Sequence, residues 1–135
     1  LGAKQVTPAL SPQFVALVFL GAGLGGLLRY LTGLWLVQPV WLPFAVGTLV
    51  VNLVGGFCAG VLFAVLGPTI VKSSAAGLFL MTGVLGGLTT FSAFTAEGMT
   101  LLMERPLIGA LHALAHVFGC LLAFAAGHRL IIALH

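Results

Sequence analysis

"GGLTTFSAF", residues 86–94, interrupts the apolar run from Ser74 to Met103 and decides how the chain is read. The run is long enough to cross a bilayer, whose hydrocarbon core of ~30 Å takes roughly 20 apolar residues of helix. Near its middle stand paired glycines, Gly86 and Gly87, then hydroxyls at Thr89, Thr90 and Ser92, with Thr95 just beyond and Phe91 and Phe94 between them. An intact membrane helix needs no internal Gly-Gly. Non-helical backbone at membrane depth is tolerated only where protein buries it or where it lines a cavity. The glycine pair therefore predicts a helix that opens there. Opening frees carbonyls before the break, which can coordinate a small cation, and amides after it, which with the new helix N-terminus favour an anion. Phe91 and Phe94, three apart, share a face if the helix resumes, and their ring edges carry the positive part of the aromatic quadrupole. A glycine kink with an ordinary core phenylalanine pair is the competing reading.

Outward from this stretch, the composition points the same way. Of 135 residues, 61% are hydrophobic and 5% charged, more apolar surface than a soluble domain of this size can hide. The chain reads as one integral membrane domain over 1–135, all-α, with four spans at about 14–37, 44–66, 74–103 and 107–132, the third broken. Pro39 and Pro43 bracket the first link, with Trp35 and Trp41 as an interfacial aromatic belt. Gly67 and Pro68 end the second span; Glu104, Arg105 and Pro106 form the third link. The first apolar segment is too long for the core of a secretory signal.

Four spans place both termini on one side of the membrane. Lys4, Lys72 and Arg129 fall on that side and Arg105 on the other, so the positive-inside bias is weak. Insertion both ways round, with pairing into an antiparallel dimer, follows as an expectation. The net charge of +3 comes from seven charged residues, which is no nucleic-acid footprint. Cys58 and Cys120 fall inside spans and read as small packing residues. Gly21 and Gly25, Gly56 and Gly60, and Gly83 and Gly87 are each four apart, giving flat strips for close helix approach.

The remaining polar residues each need a reason, because polar groups in lipid require a partner or water. Arg29, late in the first span, could snorkel to the interface, stand at the mouth of an anion path, or pair with backbone carbonyls. Asn52, central in the second span, shares a face with Gly56 and so faces protein; it could bond another helix or donate to a passing anion. Glu97 suits a proton relay, a cation site or a cap. His112, His116 and Cys120 form one stripe along the fourth span, and two histidines without a third ligand make no complete metal site.

"GLGGLLRY", "GTLVVNLVGGFCAG" and "GGLTTFSAFTAE" together resemble the Fluc (CrcB) family of bacterial fluoride channels, across spans one to three in order. The resemblance implies a dual-topology antiparallel homodimer in the bacterial cytoplasmic (inner) membrane. It would export fluoride passively through two pores. It also implies a central structural Na+ held by backbone carbonyls at positions matching Gly86 and Thr89. The matching pore residues are Asn52, Phe91 and Phe94, with Thr90, Ser92 and Thr95 along the anion path, Arg29 in span one and Glu97 after the break. The chain departs from the family in the fourth span, where His112, His116 and Cys120 stand in place of Tyr and Ser as candidates for pore lining; a histidine there would add pH sensitivity. Two other functions compete: a small dual-topology proton-coupled transporter using Glu97, and a non-transporting helical bundle. No nucleophile–base pair, phosphate loop or complete metal set supports enzyme chemistry.

Overall fold

The computed structural model describes residues 11–36 and 46–134. The protein is all-α, with four helices long and apolar enough to cross a membrane: Pro12–Trp35, Val46–Ser73, Ala75–Glu104 and Pro106–Ala133. The expected link residues Pro39, Trp41 and Pro43, and the ends of spans one and two at 37 and 44–45, lie outside the described residues. Pro12 and Pro106 open the first and fourth spans, positions where the missing amide hydrogen of proline would have had no helical partner. The second span winds regularly as far as Gly67, whose φ of 74° and ψ of 155° turn the chain before Pro68 starts a last short piece. The sequence reading ends the span at Gly67-Pro68; the structure kinks there and carries helix on to Ser73. Ser74 caps the third span, its hydroxyl accepting from the Gly77 amide at 3.0 Å.

Helices in lipid gain nothing hydrophobic by leaving lipid for one another, so close backbone packing must hold them. Two seams do this. Spans one and three meet through Gly21, Gly25, Gly83 and Gly87: a Cβ on Gly21 would stand 2.6 Å from the Phe79 carbonyl oxygen, and one on Gly25 or Gly87 would run into the backbone of Val84 or Ala22. Spans two and four meet through Gly56, Gly60 and Gly127, where a Cβ would meet the backbone of Cys120, Phe124 and Phe57 respectively. All three glycine pairs expected from the sequence therefore lie at helix contacts.

The third span is bent, as expected, but its form differs from the expectation in two ways. Residues Leu78–Leu85 wind as a π-helix. The break also falls two residues beyond the glycine pair. Gly86 is helical at φ −64° and ψ −35°, while Thr89 (φ −78°, ψ 152°) and Thr90 (φ −145°, ψ 120°) are extended. The helix resumes as Phe91–Glu104. Gly86-Gly87 does not open the helix; Gly87 is needed for contact with span one. The break sits at the threonines because Thr90 is a good first cap: its hydroxyl accepts from the Ala93 amide at 3.2 Å.

Candidate functional site

A cap alone leaves the extended backbone of Thr90 unpaired inside the membrane, and span two meets that need. The Thr90 amide donates to Asn52 Oδ1 at 2.8 Å, and Asn52 Nδ2 donates to the Thr90 carbonyl at 3.1 Å. One side chain thus satisfies both backbone groups of the buried break residue, each bond worth about 1 kcal/mol. Asn52 has two amide hydrogens, so one remains.

Asn52 borders a cleft of about 450 Å³ between spans two, three and four. Asn52, Gly86, Thr89, Thr90, Phe91, Phe94, His116 and Cys120 all line it, together with apolar neighbours such as Met81, Leu85 and Val117. No Lys, Arg, Asp or Glu among the described residues is part of the lining. The hydroxyls are largely committed. Thr89 donates to the Leu85 carbonyl at 2.8 Å and Thr95 to the Phe91 and Ser92 carbonyls at 3.0 and 2.9 Å. The Thr90 and Ser92 hydroxyl oxygens are 3.1 Å apart, so one donates to the other and one proton of the pair remains. Phe91 and Phe94 do share a face, their ring centroids 5.2 Å apart.

Phe94 is held from behind by the histidine pair. Its ring stacks on His112 at 5.5 Å and tilts against His116 at 4.7 Å, and the two imidazoles are 4.3 Å apart. Both histidines are buried in the chain. Gly98 makes the room: a Cβ there would stand 3.4 Å from His112 Cδ2. Of the stripe expected along span four, only His116 and Cys120 reach the cleft; His112 lies behind Phe94.

Five expected site residues lie off the cleft: Arg29, Ser92, Thr95, Glu97 and His112. Arg29 donates from Nε to the Gly87 carbonyl at 3.1 Å, so the backbone-pairing alternative describes its contact. Glu97 accepts a hydrogen bond from the Thr48 hydroxyl through Oε1, while its Oε2 is buried with no hydrogen-bond partner. Thr48 was not singled out from the sequence, although Thr48, Asn52 and Gly56 recur at four-residue spacing along one face. Among the described residues no three His, Cys, Asp or Glu side chains come together as a metal site.

The sequence profile described as "CrcB-like protein, Camphor Resistance (CrcB)" matches residues 16–128. The chain belongs to this family. Curated CrcB relatives named "Fluoride-specific ion channel FluC" include one from Aromatoleum aromaticum, 47% identical over 113 residues, covering 82% of this chain and 84% of the relative. Another, from Rhizobium meliloti, is 40% identical over 121 residues, covering 89% and 97%. A third, from Thiobacillus denitrificans, is 42% identical over 115 residues, covering 84% and 91%. The residues matched to the CrcB profile contain the whole break, Asn52, Arg29 and the His112–Cys120 stripe.

Proposed function

We propose that the chain is a fluoride-selective channel that lets fluoride leave the cell passively through the bacterial inner membrane. The observation that carries this reading is the cleft beside the break. It offers an anion several weak partners on its lining, namely the Asn52 side-chain amide, the Thr90 hydroxyl and the rings of Phe91 and Phe94. Among the described residues, its lining has no cationic side chain that would hold the anion. Conduction needs binding good enough to enter and weak enough to leave. Membership of the CrcB family and the fluoride-channel names of its relatives support the same substrate.

The working unit of this reading is an antiparallel, dual-topology homodimer with two pores. Arg29, Ser92 and Thr95 are exposed on the single chain, as is Phe91 at 74%. Polar groups facing lipid are expensive, and a second, inverted copy gives that face a cover. A structural Na+ at the dimer centre also belongs to the reading, and the backbone suits it. In a continuous helix the Thr90 and Ala93 amides would occupy the Gly86 and Thr89 carbonyls; here they bond Asn52 Oδ1 and Thr90 Oγ1. Those two carbonyls are left as hard oxygen donors of the kind a hard cation takes, and the ion would tie two breaks together.

The test is efflux from liposomes holding the purified protein, fluoride against chloride, with no proton gradient. Rapid fluoride loss without chloride loss is expected; no fluoride loss from well-folded protein overturns the reading. One observation favours a second reading: the unpartnered Glu97 Oε2 could carry a proton in a coupled transporter. Uptake driven by a pH gradient and abolished by Glu97→Gln would establish that instead.

A further inference from the structure

Phe91 and Phe94 share a face but not a setting. Phe91 is 74% exposed, whereas Phe94 is half-buried with two imidazoles packed on its ring. The plane of the Phe94 ring decides what an anion in the cleft meets, because an aromatic ring is positive at its edge and negative on its face. The same ring attracts fluoride edge-on and repels it face-on. Phenylalanine does not fix the choice by itself, since its χ2 torsion is broad and two-fold, so its neighbours must. His112 lies nearly parallel to Phe94, with 19° between the planes at 5.5 Å, and His116 is inclined by 38° at 4.7 Å. Turning Phe94 about χ2 gives up the stack on His112 and drives the ring edge toward His116.

The imidazoles are themselves held. His112 is 0% exposed, and it fits against span three only because residue 98 is glycine: a Cβ there would stand 3.4 Å from His112 Cδ2. His116 Nδ1 lies 3.1 Å from the carbonyl oxygen of His112. A carbonyl only accepts, so Nδ1 donates and the ring is tied to its own helix. His116 Nε2 is enclosed and has no hydrogen-bond partner. A buried nitrogen left in that state costs stability, a cost an aliphatic side chain would not carry. Hydrogen bonding by Nε2 therefore does not account for a histidine here, and its flat ring does. We propose that His112 and His116 are positioning residues for Phe94: their rings fix its plane, and so set how strongly the cleft contacts a passing anion. Neither imidazole nitrogen needs to reach the anion.

The flux arm of the test rests on the channel reading, so the order of the ring is measured separately. In purified protein whose phenylalanine rings carry carbon-13, the Phe94 magnetic-resonance signal is identified by its loss in Phe94→Ile. It should be single and sharp in the parent. In His112→Gln and in His116→Gln it should shift and broaden or split, as the ring gains other planes. Glutamine keeps a polar side chain of similar size but presents no aromatic face. In liposomes both glutamine variants should slow fluoride efflux at least about tenfold, while eluting as the parent does in size-exclusion chromatography. His112→Phe restores a flat ring behind Phe94, off the cleft, and should keep efflux within about threefold of the parent. A Phe94 signal that is already broad in the parent, or unchanged in either glutamine variant, overturns the proposal whatever the flux. So does parent-like efflux from either glutamine variant, or a normally eluting His112→Phe protein that conducts no better than His112→Gln. A Phe94 signal that responds as expected in a protein that passes no fluoride would sink the channel reading and leave the positioning role standing.

Discussion

The two halves of the third span are built on opposite terms. Before the break, residues 75–88 press Gly83 and Gly87 against the backbone of span one, and Thr89 at the break spends its hydroxyl on the Leu85 carbonyl. After it, Phe91–Glu104 buries only Gly98 deeply and turns the Phe91 and Phe94 rings toward a cleft. The first half tolerates no added atom at its contacts, and the second keeps space. Assembly and permeation are therefore assigned to consecutive stretches of one helix, and substitutions on the two sides of Thr89 should fail in different ways.

The largest effect is expected in the leading half. Gly87→Leu puts a side chain into the Ala22 backbone, a collision no rotamer relieves, and should abolish monodisperse protein in size-exclusion chromatography. A well-folded Gly87→Leu protein would dissolve the contrast. Next comes Phe94→Ile, which should leave a folded protein and its oligomer in the same chromatography but slow fluoride efflux at least about tenfold, ~1.4 kcal/mol at the barrier. Normal flux from that variant removes Phe94 from the path. Asn52→Ala should fall between the two classes, because Asn52 serves both halves. Losing two buried bonds to Thr90 is expected to destabilise the fold by roughly 2–4 kcal/mol, read as a lower unfolding temperature, and flux should fall with it. The smallest effect is expected at Gly86, where a Cβ would find only the Met81 carbonyl oxygen, at 3.8 Å. Gly86→Ala should leave the unfolding temperature unchanged or slightly raised, by at most about 1 kcal/mol of helix propensity. A bulky Gly86→Trp should instead weaken pairing between copies, and an unaltered dimer with unaltered sodium dependence would count against a cation at the break.

Most of the fold was legible because it is written in length and punctuation. The spans begin at Pro12, Val46, Ala75 and Pro106, close to the positions set by apolar runs and proline breaks. The bend in the third span was legible too, but its position was not. Gly-Gly looked like the weak point when taken alone. Only the tertiary contacts show that Gly87 is committed to span one and that Asn52, 38 residues earlier, holds the extended Thr90. The π-helical winding of Leu78–Leu85 left no mark we can identify in the sequence. In the site, Asn52, Thr90 and Phe94 line one cleft. The placing of His112 behind the ring and His116 beside the cleft depends on the crossing of spans three and four, which spacing along one helix cannot supply.

The glycine seams have a mechanical consequence. Where backbone rests on backbone, no layer of bendable side chains lies between helices to be squeezed or stretched. Lateral tension and bilayer thickness act on the lipid-facing side chains, and a seam of this kind passes little of that load on to the cleft. The pore should behave as a stiff frame, and its fluoride conductance is expected to be nearly the same in short-chain and long-chain lipids, a comparison that reconstitution in two bilayers makes directly.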